Sequence, residues 1–166
     1  MAANSVVVFE NFRHIQGRIQ IPVVATMRFS CVACVIGPNT FSVGRFAGIS
    51  FDGNSAGLQA NFTDCVFQNN DVSDFAPLQF FFLGAADDIS ILLLGDTRFQ
   101  DNALRTGGSS MASALYFSVT STTYIISLHL DGLTFQSNTL AAGQSGAALY
   151  VECDGNCPNF NTTLEN

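Results

Sequence analysis

Short blocks in which apolar and polar residues alternate recur along this chain, and three of them align without adjustment. They are Cys65-Val66-Phe67-Gln68-Asn69-Asn70, Thr97-Arg98-Phe99-Gln100-Asp101-Asn102 and Leu133-Thr134-Phe135-Gln136-Ser137-Asn138. A fourth, weaker copy is Cys34-Val35-Ile36-Gly37-Pro38-Asn39. The anchor residues Ile36, Phe67, Phe99 and Phe135 follow one another at 31, 32 and 36 residues. A period of this size marks a repeat architecture, with one supersecondary unit per copy.

Counting back from each anchor places the upstream residues in columns. Seven before it are Phe29, Ala60, Leu92 and Leu128; five before it are Cys31, Phe62, Leu94 and Leu130; two before it are Cys34, Cys65, Thr97 and Leu133. The spacing of two predicts strands that face a core. The step of three between the second and third columns predicts a corner, where Thr63-Asp64, Gly95-Asp96 and Asp131-Gly132 supply bend residues. Downstream comes a further apolar block: Ile49-Ser50-Phe51, Leu78-Gln79-Phe80, Leu115-Tyr116-Phe117 and Leu149-Tyr150-Val151. Variable stretches precede it, such as Thr106-Gly107-Gly108-Ser109-Ser110 and Ala142-Gly143-Gln144-Ser145-Gly146. Each copy reads strand, corner, strand, Asn turn, loop, strand.

Units this small bury their apolar face only by stacking on neighbours. The predicted fold is all-β: a right-handed single-stranded parallel β-helix of about four coils of 31–36 residues with irregular ends. A degenerate first coil occupies residues 1–26, with Phe9-Glu10-Asn11-Phe12 at its start and Ile19 and Ile21 as its later strand. Repeats follow at about 27–57, 58–89, 90–125 and 126–152. Residues 153–166 form a polar C-terminal tail or the start of a further segment. Stacking at the strand spacing of roughly 4.8 Å puts Ile36, Phe67, Phe99 and Phe135 in one internal ladder. It puts Asn39, Asn70, Asn102 and Asn138 above one another at a turn, where Asn tolerates the left-handed conformation and its amide bonds the next coil. No capping helix is evident at either end, so strand edges are left open to end-to-end or edge association.

Composition agrees with this class. The chain has 166 residues, 48% hydrophobic and only 11% charged, with no Lys and with Glu at positions 10, 152 and 165 alone. Strong surface-helix formers are therefore scarce. The net charge is −7, and the six Arg (Arg13, Arg18, Arg28, Arg45, Arg98, Arg105) form no stripe. Nucleic acid and anionic membranes, which need clustered cations, are excluded as expected partners. The most apolar stretch, Phe80 to Leu94, is broken by Asp87-Asp88 and is too short to span a bilayer. Val6-Val7-Val8-Phe9 lacks a preceding cation and is no signal peptide. The expectation is an internal piece of a larger extracellular or cell-surface protein.

The Phe-Gln-x-Asn element followed by Ala-Leu-Tyr, as in Phe99 to Asn102 with Ala114-Leu115-Tyr116 and Phe135 to Asn138 with Ala148-Leu149-Tyr150, resembles the repeats of polymorphic outer membrane proteins and their pectin-lyase-like relatives. The likeness runs from about Phe29 to Val151, and departs at Ile36 and around Pro77. It implies an adhesin or passenger-type surface module, with glycans or surface proteins as partners, and carries no substrate.

Candidate chemistry is sparse. Asp64 and Asp96 share the position three before the anchor; outward on adjacent coils, they would be spaced for a retaining glycosidase or a Ca²⁺ site. Solvated turn residues are the plainer expectation, as they are for Asp71, Asp101 and the Asp87-Asp88 loop. His129 alternates with Leu128 and Leu130 and points outward; neither it nor His14 joins a metal-ligand spacing. Cys153 and Cys157 flank Asp-Gly-Asn, a turn that closes a local disulfide in a secreted protein. Cys34 and Cys65 share a core column, as a disulfide or as buried thiols. Cys31-Val32-Ala33-Cys34 has redox-motif spacing without the strand–helix–strand context. Asn61-Phe62-Thr63 and Asn161-Thr162-Thr163 are N-glycosylation sequons. No metal or cofactor is expected. The functional expectation is a non-catalytic β-helical module, with a carbohydrate-active or glycan-binding β-helix as the alternative.

Overall fold

The computed structural model describes residues 5–13, 17–23, 26–40, 48–53, 57–72, 76–85, 88–104, 112–122, 125–140, 147–154 and 160–165. Among them there is no helix, and none long and apolar enough to cross a membrane. The described residues hold nineteen strands, numbered in chain order, in four parallel sheets. The first sheet holds β1 (Ser5–Glu10), β3 (Met27–Val32), β7 (Leu58–Thr63), β11 (Ile89–Leu94), β15 (Ile126–Asp131) and β19 (Phe160–Glu165). The second holds β2 (Arg18–Val23), β6 (Gly48–Gly53), β10 (Leu78–Ala85), β14 (Ala112–Thr122) and β18 (Ala147–Asp154). The third holds β4 (Val35–Ile36), β8 (Val66–Gln68), β12 (Arg98–Gln100) and β16 (Thr134–Gln136); the fourth holds β5 (Asn39–Thr40), β9 (Asn70–Val72), β13 (Ala103–Leu104) and β17 (Thr139–Leu140). From β3 to β18 the chain visits the first, third, fourth and second sheets in strict rotation. Each strand pairs in parallel with its counterpart one coil away. The fold is a right-handed parallel β-helix, the hand that parallel crossovers take.

Stacking turns sequence columns into side-chain ladders. Ile36, Phe67, Phe99 and Phe135 are in register. The rings of Phe67 and Phe99 stack at 4.7 Å between centroids, and those of Phe99 and Phe135 at 5.2 Å. Phe51 and Phe80 stack at 5.0 Å between β6 and β10 of the second sheet. Each such pair adds about 0.5–1.5 kcal/mol beyond the burial of its area. Phe135 is only half-buried, because it lies at the C-terminal end of the stack.

The turn between the third and fourth sheets is held by a second ladder. Asn39 donates to Asn70 Oδ1 (2.7 Å), Asn70 to Asn102 Oδ1 (2.9 Å) and Asn102 to Asn138 Oδ1 (2.8 Å). The same amides donate back to main-chain carbonyls, Asn70 to Ile36, Asn102 to Phe67 and Asn138 to Phe99. The left-handed residue is not the ladder Asn but the one before it: Asn69, Asp101 and Ser137 have φ of 53°, 54° and 52°. The ladder Asn turns its side chain inward to bond, and its neighbour absorbs the bend. In the first copy Pro38 occupies that place, and the positive φ falls on Gly37.

Counting back from the anchor gives the wrong face in the third coil. Phe29, Ala60, Ile91 and Leu128 share a register column, as do Cys31, Phe62, Leu93 and Leu130. Ile91 and Leu93 are therefore buried, and Leu92 and Leu94, expected inside, face outward. The left-handed corner residues Ala33, Asp64, Gly95 and Gly132 each follow the last residue of the preceding strand. The third coil then inserts Asp96 before Thr97. One added residue flips every side chain counted through it.

The ends also differ from expectation. Phe9 pairs with Cys31, five residues ahead of the anchor column, while Ile19 and Ile21 pair with Ile49 and Phe51 as a later strand should. Residues 160–165, in the stretch read from sequence as a polar tail or the start of a further segment, form β19 on the edge of the first sheet. Met27, Leu58, Ile89, Ile126 and Phe160 stand in one column, so the coils advance by 31, 31, 37 and 34 residues.

Candidate functional site

Asp64 and Asp96, the carboxylates best placed by sequence for acid–base work, do not share a column. Asp64 corresponds to Gly95, and Asp96 is the inserted residue. The Asp64 carboxylate lies over the next corner and accepts the Asp96 backbone N–H at 2.9 Å. A Cβ on Gly95 would run into it, and Gly95 also has φ of 66°, so Gly suits that position on both counts. Asp96 receives both Nε and Nη2 of Arg98. That hydrogen bond and the guanidinium charge hold its carboxyl below the usual range, although both side chains are largely exposed. Each of the two carboxylates is thus engaged in shaping a corner. Of the other acidic candidates, Asp88 accepts the Ile125 N–H from the next coil at 3.2 Å, and Asp87 lies outside the described residues, as does His14.

The cysteines divide into two groups. Cys153 is disulfide-bonded; Cys157, its expected partner, lies outside the described residues. Cys31, Cys34 and Cys65 are free and fully buried, with their sulfur atoms all within 4.8 Å of one another. Cys34 donates to the carbonyls of Phe9 and Val32, and Cys65 to those of Cys31 and Thr63. The hydrogen bond with Cys65, then burial, push the Cys31 thiol far above its ordinary range, and burial raises Cys34. The cluster offers three sulfur donors in a core closed to solvent, where water cannot complete the four ligands that zinc takes. Buried in the same apolar core as Phe62 and Phe67, these thiols pack as small apolar groups.

Outward residues of the first sheet form columns of their own. Asn61, the first sequon, lies mid-sheet on β7, half-buried, with its Oδ1 accepting the Thr63 hydroxyl at 3.1 Å. Asn161, the second, is exposed on the edge strand β19. The same two strands, β15 and β19, carry a grouping that the sequence pattern alone does not bring together. His129 and Asp131 point outward from β15, two residues apart, and Glu165 on β19 is the register partner of Asp131. One ligand atom from each lies within 4.8 Å of the other two. The signal was present as His-x-Asp on one strand face, but linking it to Glu165 requires the 34-residue advance of the last coil, which a polar tail conceals.

On the outward face of the second sheet, Tyr116 and Tyr150 stack at 5.3 Å, nearly parallel. Gln79 lies beside Tyr116 in register, and its Oε1 is buried with no partner among the described residues. Ser118 donates to Glu152 at 3.3 Å in the next column. Compared with known proteins, the chain matches no family model, no curated protein and no solved structure.

Proposed function

We propose that this chain is a non-catalytic β-helical repeat module, displayed outside the cell as part of a larger protein, that works by contact through its outward sheet faces. The observation that carries this reading is the engagement of Asp64 and Asp96. An acid–base pair needs carboxylates open to a substrate and perturbed relative to one another, whereas Asp64 caps a corner and Asp96 is held by Arg98. The disulfide at Cys153 favours an oxidising compartment. The repeats' resemblance to polymorphic outer membrane proteins points to the same setting. Glycans and other surface proteins are the partners that suit an acidic solenoid without clustered cations.

A glycan-binding role is the second reading, favoured by the outward Tyr116–Tyr150 stack and the unpartnered amide oxygen of Gln79. Incubating the purified chain with neutral and acidic polysaccharides, with new reducing ends and unsaturated products as readouts, tests the catalytic question. No turnover is expected, and a glycan array reports binding separately. Turnover that disappears in Asp64→Asn or Asp96→Asn would overturn the proposal.

A further inference from the structure

We propose that His129, Asp131 and Glu165 form a divalent-cation site, suited to a borderline ion such as Zn²⁺, that ties the edge strand β19 to β15. The reading concerns this cluster alone and holds whether or not the module is extracellular.

Charge is the first argument. Asp131 and Glu165 are direct register partners on adjacent strands, and like charges so placed destabilise a sheet. A divalent cation between the two carboxylates cancels their charge and converts a repulsive pair into a bridge.

Donor chemistry is the second. One imidazole nitrogen with two carboxylate oxygens suits zinc and its first-row neighbours, whereas Ca²⁺ takes six to eight oxygens. Three protein ligands leave a position for water, an arrangement zinc commonly accepts. Atoms all within 4.8 Å of one another share a point no more than about 2.8 Å (4.8/√3) from each. Zinc bonds to N and O are about 2.0–2.2 Å, so each side-chain end needs to close by less than about 1 Å. Glu165 is exposed and His129 and Asp131 are half-buried, so nothing packed must move.

The fold gives such a site a role. Five of the six residues of β19 are exposed, and Phe160 alone packs against the core. The strand is held chiefly by its backbone ladder to β15. A metal bridging the two strands would fasten an edge strand that otherwise packs only Phe160 against the core.

The test is a competition titration of the purified chain with Zn²⁺ against a chromophoric chelator, paired with hydrogen exchange of the β19 amides. Saturable binding of one Zn²⁺ is expected, together with slowed exchange in β19. His129→Ala and Glu165→Gln should each lose more than about tenfold in affinity and abolish the protection, whereas Asp96→Asn should retain both. All three positions face outward, and far-UV circular dichroism checks that the variants fold. Absence of saturable binding, or unchanged affinity in His129→Ala, would overturn the site. Equal protection by Ca²⁺ at the same concentration would overturn its assignment to a borderline ion.

Discussion

Replacing Asn102 with Ala probes the ladder where it is most deeply enclosed. Asn102 is fully buried, and its Oδ1 accepts the Asn70 backbone N–H at 3.1 Å and Asn70 Nδ2 at 2.9 Å. Its Nδ2 donates to the Phe67 carbonyl and to Asn138 Oδ1. Truncation removes all four bonds. Asn138 Oδ1 keeps the Asn102 backbone N–H, and Asn70 Nδ2 keeps the Ile36 carbonyl. Two donors on Asn70 lose their acceptor, the main-chain N–H and one amide hydrogen, both in a residue closed to water. A buried donor left unsatisfied costs about 1–3 kcal/mol, so the expected loss is about 2–6 kcal/mol, a large share of a domain's usual 5–15 kcal/mol. Asn138→Ala removes three bonds, two accepted from Asn102 and one donated to the Phe99 carbonyl, at the half-buried end of the stack, where water can replace them, and should cost about 1–2 kcal/mol. Urea unfolding followed by far-UV circular dichroism measures both. A reduced slope in Asn102→Ala would indicate a solenoid that melts in segments around the break. Equal losses at the two positions, or a loss below about 1 kcal/mol at Asn102, would refute the idea that enclosure sets the strength of the ladder.

The inward and outward assignments of the Phe-Gln pair are tested by substitution at neighbouring positions. Phe99→Asp places a charge between the Phe67 and Phe135 rings and should cost more than about 4 kcal/mol or prevent folding. Gln100→Ala loses a half-exposed bond from Gln100 to Gln68 Oε1 of 3.1 Å and should stay within about 0.5 kcal/mol. The sealed thiols give a reactivity prediction: in the native protein Cys31, Cys34 and Cys65 should resist a bulky maleimide, and in urea all three should react. Stoichiometric labelling of the folded chain would show that the cluster is open to solvent.

How much of this was legible in the sequence depends on which distances an inference had to cross. The anchor columns and the strands whose count crosses no corner fall where the sequence pattern puts them. Phe67 and Phe99 stack, Asn39 to Asn138 form the turn ladder, and Ile49, Leu78, Leu115 and Leu149 share a column in the second sheet. Errors began where the count crossed a corner. Counted from Phe99, Leu92 and Leu94 fall inward because Asp96 intervenes, and the unbroken apolar run Ile91 to Leu94 carries no alternation of its own to contradict the count. The left-handed position was likewise misassigned by one residue. Asn at the ladder and Asn, Asp or Ser before it are equally common in turns, and only the bonding geometry separates them.

Chemistry in a solenoid is harder to read than architecture for the same reason. A ladder repeats one residue type at one offset, so each copy corroborates the others, and small counting errors average out. A site drawn from two coils has no second copy. Asp64 and Asp96 look like stacked partners when counted from the anchor, yet an insertion of one residue makes Asp96 a corner residue held by Arg98 and leaves Asp64 over Gly95. His129, Asp131 and Glu165 look unrelated until the last coil is known to advance by 34 residues, at which point they converge. Coil length therefore decides which polar residues become neighbours, and in this chain the lengths vary from 31 to 37 through the bends and the segments between strands. Changing one such length would leave the Phe and Asn ladders of the adjoining coils in place. It would also re-sort the outward columns, so a β-helix of this kind can exchange its surface chemistry without altering what holds it together.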